Sequence, residues 1–263
     1  MYTTRSLAAA PGRADMKLSR VEEWDIHRVA VPDYDAEDHR TWAALLANQR
    51  KVLPGRACDE FLAGLDLIAF PEDRIPLLAE ISDRLERQSG WCLVRVDGIV
   101  PDAEFFSLLA QCRIPSTDFI RRPEELGYTP APDMFHDLMG HVPLLTDARF
   151  CAFFERFGQA GVRAFELNHP AQVLLPRVYW YMVEYGLIRQ SGENRIYGAG
   201  ILSSPNEVLY SLSDQVEKLD FDLSRVSAHP YDIWHMQSQL YVIESFGQLE
   251  QVFADWLDAL GLS

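Results

Sequence analysis

The chain has 263 residues, of which 48% are hydrophobic, so it is long enough to bury one large core. Its formal charge of -15 at pH 7 disfavours a general attraction to nucleic acid or to anionic membrane surfaces. Its densest apolar run, residues 178–183, is far shorter than the roughly 18 residues that a membrane-spanning helix needs. We therefore expect a protein that acts on a small molecule, with neither nucleic acid nor a membrane as its partner.

The N-terminal residues and the cysteines indicate the cellular compartment. The four cysteines form no CxxC motif, and the N-terminus lacks the apolar stretch of a secretory signal, so we expect reduced thiols and a cytoplasmic protein. Residues 1–34 mix polar and charged residues without periodicity, which predicts an N-terminal arm ahead of a catalytic domain over residues 35–263. The absence of acidic residues before Asp15 keeps a transit peptide open as an alternative.

Helical patterns begin at Asp35, which is a suitable N-cap for a helix with one apolar side. A second helix is expected around Phe61. A third is expected over residues 73–88, where Gly90 closes it. The alternating apolar pattern of residues 91–96 then predicts a strand.

The C-terminal half is also mostly helical. Helices are predicted over residues 102–112, 131–139, 147–165, 171–189 and 246–260. Ser204 and Glu207, on either side of Pro205 and Asn206, form a capping-box signature that predicts another helix start. Short β-prone runs lie near residues 194–199, 208–213 and 239–244. Because the strands are few and short, the predicted fold class is a helix-rich α+β domain rather than a doubly wound sheet.

Two histidines, His136 and His141, lie five residues apart in the most informative stretch. On an unbroken α-helix their side chains would point about 140° apart. Gly140 suits the left-handed position that ends a helix, so a shared metal would favour a helix that breaks there. Two ordinary histidines on a polar helix edge are the alternative. The apolar residues 142–145 argue against it, because an imidazole among them needs a partner.

Glu184 is unusual because aromatic and apolar side chains surround it at helical spacing. A buried carboxylate without a partner is costly, or it loses its charge. Pairing with Arg177 or Arg189 is an open alternative. With two histidines available, metal ligation explains the carboxylate better.

Two neutral imidazoles and one carboxylate form the facial set that binds non-haem Fe(II) and leaves positions open for oxygen and substrate. Zinc is the competing metal. The sequence HDLMGH lacks the spacing of the HExxH motif and also its glutamate, which argues against a zinc-dependent hydrolase. The sequence YGAGILSS lacks both phosphate-loop patterns, so a tight turn that lines a pocket is expected there.

Three motifs occur in the order YTPxPDxxHDxxGHVPLL, YWxxVExGL and YGAGxLSS. Together they resemble the catalytic domain of the aromatic amino acid hydroxylases. The resemblance extends over roughly residues 35–260 and includes LPGRACDEF and YVIESF. It implies a monooxygenase that uses Fe(II), O2 and a tetrahydropterin to hydroxylate the ring of a free aromatic amino acid, with L-phenylalanine and its conversion to L-tyrosine favoured.

The resemblance also implies roles for individual residues. The iron ligands would be His136, His141 and Glu184. The substrate positions would be Arg121, Thr129, Trp180, Ser203 and Tyr185, and the pterin positions would be Gly98, Ile99, Val100 and Phe105. Asp133 and Ser203 would support the iron ligands. Without the resemblance, Arg121 would be a surface charge and Phe105 an ordinary core residue.

The chain departs from the family pattern in three ways. Tyr185 stands where relatives carry phenylalanine, and Pro176 replaces a small residue near the pterin side. A regulatory domain and a tetramerisation helix are missing from the sequence, which predicts a monomer. Hydroxylation of tryptophan or of another ring position, a zinc-dependent hydrolase, and a non-catalytic pterin-binding protein remain the alternatives.

Overall fold

The computed structural model describes residues 26, 27, 29–125 and 132–262. Helices dominate these residues, so the prediction of a helix-rich α+β fold is confirmed. The α-helices are α1 (Ala36–Val52), α2 (Asp59–Ile68), α3 (Leu78–Ser89), α4 (Asp102–Leu109), α5 (Ala148–Glu166), α6 (Ala171–Val178), α7 (Ala199–Leu202), α8 (Pro205–Leu212), α9 (Leu223–Ala228) and α10 (Phe246–Leu260). Two further helical turns, His136–His141 and Tyr179–Glu184, have the wider π-helical geometry. None of the helices described is long and apolar enough to cross a membrane.

Short strands form two sheets in the described part of the chain. The strands are β1 (Cys92–Arg95), β2 (Arg113–Ser116), β3 (Leu187–Gln190), β4 (Glu193–Ile196), β5 (Glu217–Asp220) and β6 (Gln239–Ile243). β1 and β2 pair in parallel. The other sheet has the order β4-β3-β6-β5, with β3 and β4 antiparallel and the other pairs parallel. Such short, mixed strands agree with an α+β fold.

Local signals set the ends of the first helices. Asp35 caps α1 through a complete capping box with Asp38. Helix α3 begins later than the predicted residue 73, because Pro76 disfavours the helical conformation of the residue before it. The same helix ends at Gly90, as predicted, with a φ of 79° that favours glycine.

Two predictions about secondary structure are wrong. The helix predicted over residues 171–189 ends at Glu184, and its last residues belong to β3, because pairing with β4 and β6 outweighs their helical spacing. The β-prone run at residues 208–213 lies largely inside α8, because the serine cap and the proline at the first helical position outweigh its β propensity.

An aromatic core lies between α4, α5 and α10 and supports the second π-helical turn. The ring of Phe157 lies 5.4 Å from that of Phe106 and 5.8 Å from that of Phe253. Gly161 allows α4 to approach, since a Cβ at this position would lie 1.9 Å from the Phe106 ring. Phe157 also lies 6.0 Å from Tyr179, so the core holds the start of the turn that carries Glu184.

Candidate metal centre and adjoining clefts

His136 and His141 lie at the two ends of the first π-helical turn. A π-helix bonds each residue to the one five positions away, so residues five apart lie on the same side. The two imidazole rings are therefore neighbours, with centroids 5.1 Å apart and planes at 88°. The predicted helix break at Gly140 is wrong, because the chain widens into a π-turn instead of ending.

Gly140 serves close packing rather than a left-handed turn. A Cβ at this position would lie 2.7 Å from the carbonyl oxygen of Ala199, the first residue of α7. The missing side chain therefore lets α7 pack against the turn that carries the histidines. This contact brings Ser203, at the end of α7, next to His136.

Glu184 is the last residue of the second π-helical turn and is 8% exposed. Neither arginine considered as its partner bonds to it. Arg177 donates to the carbonyl of Ser227 at 3.0 Å, and Arg189 pairs with Glu244 at 2.9 Å. The arginine-pairing alternative is therefore wrong.

The carboxylate of Glu184 faces the two histidines instead. Its Oε1 lies 3.3 Å from His141 Nε2, and its Oε2 lies 3.6 Å from His136 Nε2. One ligand atom from each residue lies within 4.8 Å of the others. The three side chains thus point to one common position.

The charge states of these side chains fit a divalent metal. Burial lowers the pKa of His136 to about 4, so its imidazole is neutral at pH 7 and has a lone pair to donate. Burial opposes the ionisation of Glu184, but the adjacent His136 and His141 hold its pKa below the usual value. Two histidine nitrogens and one carboxylate match the Fe(II) facial set.

Ser203 and Asp133 contact His136 from two directions. Ser203 Oγ lies 2.9 Å from the ring Nδ1 and 3.4 Å from the carbonyl oxygen of Gly200. If the Ser203 hydroxyl donates its hydrogen to Gly200, its oxygen accepts the Nδ1–H of His136. The lone pair of the imidazole is then on Nε2, the nitrogen that faces Glu184. Asp133 Oδ1 accepts the backbone N–H of His136 at 3.1 Å.

Arg121 is only 3% exposed, so the surface-charge alternative is wrong. Its Nε and Nη2 donate to the two carboxylate oxygens of Asp133 at 2.8 and 2.7 Å. A guanidinium has about five N–H donors, so Asp133 leaves about three of them for other partners. Asp133 therefore orients Arg121 and also holds the backbone of His136.

Two clefts meet at the metal centre, and His136, Trp180 and Glu184 line both of them. The first cleft contains all the predicted pterin positions: Gly98, Ile99, Val100 and Phe105. The second contains the predicted substrate positions Arg121, Trp180, Ser203 and Tyr185. The remaining predicted substrate position, Thr129, lies outside the described residues.

Aromatic rings form the walls of both clefts. Phe105 packs edge-to-face on Tyr179, with centroids 5.4 Å apart, so it belongs to the core as well as to the first cleft. The ring of Tyr185 lies 4.8 Å from that of Trp180 in the wall of the second cleft. Pro176, the other departure from the family pattern, is buried inside α6.

A family model described as biopterin-dependent aromatic amino acid hydroxylase matches residues 20–261. This chain belongs to that family. It is 46% identical over 217 residues to the phenylalanine-4-hydroxylase of Chromobacterium violaceum, covering 82% of this chain and 72% of the relative.

Solved structures of the C. violaceum enzyme resemble this aromatic amino acid hydroxylase. The structure with iron and phenylalanine bound is 45% identical, has a TM-score of 0.81 and covers 86% of this chain and 82% of that one. The structure with Fe(III) and 7,8-dihydrobiopterin has the same identity and TM-score and covers 87% and 84% of the two chains.

Family membership confirms the resemblance seen in the three motifs and the predicted use of a pterin. In this hydroxylase, His136, His141 and Glu184 form the iron-binding triad. The zinc-dependent hydrolase considered from the sequence is not favoured.

Sequence reasoning missed two residues, one that stacks on a wall residue of the second cleft and one that lines the cleft itself. Tyr231 stacks on Trp180 with centroids 4.7 Å apart, and their wide separation in sequence provides no signal for this contact. Glu207 lines the second cleft, although its sequence position predicts a capping box. Ser204 Oγ does accept the N–H of Glu207, but the N–H of Ser204 donates to Ile201 instead of to the Glu207 carboxylate.

Proposed function

We propose that this hydroxylase converts L-phenylalanine to L-tyrosine with Fe(II), O2 and a tetrahydropterin. The observation that carries the proposal is the position of the triad, where the predicted pterin cleft meets the predicted substrate cleft. The activity of the similar C. violaceum enzyme supports phenylalanine as the substrate. When bound, the iron and the pterin supply the oxygen activation and the two electrons that hydroxylation needs, while the protein orients and shields the reactants.

In the second cleft, the protein holds the amino acid by its charge and its ring. The free N–H donors of Arg121 bind the substrate carboxylate, a task suited to a planar guanidinium that Asp133 already orients. Trp180 and Tyr185 offer aromatic faces to the substrate ring. Ser203 borders the same cleft and orients His136, which links substrate binding to the iron site.

In the first cleft, the protein recognises a flat heterocycle. Phe105 provides a ring face for stacking on the pterin, and its contact with Tyr179 restricts its orientation. Gly98 has no side chain, so the pterin can approach the backbone of the same segment closely. Ile99 and Val100 exclude water from this side.

The test is product analysis with iron-loaded enzyme, O2 and a tetrahydropterin. Phenylalanine, tryptophan and tyrosine are supplied separately, and the products are separated by chromatography. We expect para-tyrosine from phenylalanine at the highest kcat/KM. Preferred hydroxylation of tryptophan, or of another position on the phenylalanine ring, contradicts the proposed substrate or regiochemistry. Turnover by zinc-loaded enzyme without O2 and pterin contradicts the reaction class.

We also propose that residues 1–34 form an arm, that residues 35–263 form the catalytic domain, and that the protein acts as a cytoplasmic monomer. The Tyr34 hydroxyl donates to the carbonyl of Asp118 at 2.6 Å, so the end of the arm rests on the domain. Light scattering across a concentration series tests the monomer, and limited proteolysis tests the boundary near residue 35.

A further inference from the structure

Glu207 is a buried carboxylate that the proposed reaction has not used. It lies in the first turn of α8, is 6% exposed and lines the second cleft beside Arg121. Within the described part of the chain, its side-chain oxygens have neither a hydrogen bond nor an ion pair. Burial alone raises the pKa of this carboxyl to about 7. A buried carboxylate in this state requires an explanation, because it destabilises the free protein.

Helix capping does not explain Glu207. A complete capping box would use its carboxylate to accept the N–H of Ser204. That N–H is already bonded to the carbonyl of Ile201 at 3.1 Å. Glu207 lines the second cleft, so its carboxylate remains available for a ligand there.

The cationic side chain in the same cleft is already neutralised. Arg121 is bound through two hydrogen bonds to Asp133, which is fully buried. The Arg121–Asp133 pair can still donate N–H groups to a carboxylate, but its charge is balanced. Among the described residues that line the cleft, the negative charge of Glu207 thus has no counterpart until a cation enters.

A free amino acid carries a matching group for both Arg121 and Glu207. Its carboxylate can accept from the free N–H donors of Arg121, and its ammonium group, one carbon away, can donate to a carboxylate. A metal ion is a poorer occupant, because a hard cation needs several oxygen ligands and Glu207 supplies only one side chain.

We propose that Glu207 binds the α-ammonium group of the aromatic amino acid, while Arg121 binds its carboxylate. This inference rests on the proposed function, because it takes the second cleft as the amino acid site. Glu207 then makes the enzyme specific for amino acids over aromatic acids of the same shape, since a site built to bond a polar group rejects the analogue without it.

The experiment compares L-phenylalanine with 3-phenylpropanoate, which lacks only the amino group. Binding to the iron-loaded enzyme is measured by calorimetry without O2 and pterin, so no turnover occurs. We expect the wild type to prefer L-phenylalanine. Glu207→Gln should weaken the binding of L-phenylalanine on the order of 10- to 100-fold. It should change the affinity for 3-phenylpropanoate by no more than about threefold. The measured quantity is the ratio of the two dissociation constants.

A matched control is Glu104→Gln. Glu104 also has a buried carboxylate oxygen without a hydrogen bond among the described residues, but it does not line the second cleft. This variant should keep the wild-type ratio. Glu207→Asp, which keeps the charge and shortens the reach, should give an intermediate ratio and also provides a test if the glutamine variant does not fold.

Equal weakening of both ligands in Glu207→Gln would show a structural role and overturn the proposal. An unchanged ratio would also overturn it. If the wild type binds tryptophan rather than phenylalanine, the proposed substrate fails. The role of Glu207 is then tested with L-tryptophan and 3-(indol-3-yl)propanoate, so the two failures are distinguishable.

Discussion

The two clefts that meet at the iron triad recognise their ligands by different means. The first contains the short segment of residues 96–100 together with Phe105, and most of its described lining outside the triad is apolar. Its acidic residue outside the triad, Asp137, already accepts two hydrogen bonds from Thr117. The second takes Arg121 and Glu207 from distant parts of the chain and buries both charged groups. Stacking and apolar contact suit a flat pterin, whereas buried charges suit a zwitterion.

The two clefts should therefore differ in how sharply they discriminate between similar ligands. Apolar contact tolerates variation in a ligand, because a missing methylene group costs about 1–3 kcal/mol. A buried charge without its partner costs more, so the second cleft should enforce substrate identity. We expect mutations in the two clefts to have separable kinetic effects, and the following predictions test that separation.

The largest effect is expected where the clefts meet. Glu184→Ala removes the only carboxylate of the triad, so iron affinity should fall by at least ~100-fold and hydroxylation should cease with every substrate. Metal analysis and product detection measure the two effects. Glu244→Ala, which removes a surface carboxylate, is the control. Full iron content and turnover in Glu184→Ala would remove Glu184 from the iron site.

Arg121→Ala should lower kcat/KM for the amino acid. The loss of transition-state stabilisation should be on the order of 2–5 kcal/mol, because the change removes one partner of a buried charge pair. Arg121→Lys should recover part of the loss, since it keeps the charge without the planar fork. The KM for the pterin is measured in parallel. An equal rise in the pterin KM would show that the two clefts are not separable.

Phe105→Leu should affect the other cleft. Loss of the ring face should raise the pterin KM by about 3- to 10-fold, the scale of one aromatic contact, and leave the preference among amino acids unchanged. Steady-state kinetics at saturating amino acid give the pterin KM. A changed amino acid preference would place Phe105 outside the role proposed for it.

Glu207→Gln should raise thermal stability without amino acid present, and more so at higher pH. The folded-state pKa of Glu207 is raised by burial to about 7, so its favourable contribution is complete below the usual glutamate pKa and is lost as pH rises through about 7. The other charged or titratable groups of the cleft, Arg121, His136, Glu184 and Tyr185, are unchanged in this variant. Calorimetric melting of both proteins at about pH 5 and 8 tests this sign. A gain in Tm that shrinks with rising pH would contradict the buried, unpaired state.

Tyr185→Phe should have the smallest effect. Its hydroxyl adds a polar atom to the wall of the second cleft, so its removal should shift the kcat/KM ratios among phenylalanine, tryptophan and tyrosine by a few-fold at most, or change the ring position attacked. Assays at saturating pterin measure both quantities. Identical ratios and products would assign Tyr185 to packing alone.

Several features could be predicted from the sequence because their causes are local. Asp35 and Gly90 mark helix ends through hydrogen bonds and backbone conformations within one turn of each residue. The motif around His136 and His141 and the apolar setting of Glu184 likewise identify a metal site before any distance is known.

Tertiary structure decided what depends on distant contacts. The π-helical turn at Gly140 replaced the expected break, and α7 packs against that turn where a side chain would collide with Ala199. Residues 187–190 became a strand because β4 and β6 lie beside them. Glu207 reads locally as a helix cap, and only packing shows that its carboxylate is buried in a cleft with Arg121. Local hydrogen bonds are encoded by neighbouring residues, whereas burial depends on which distant segments pack together.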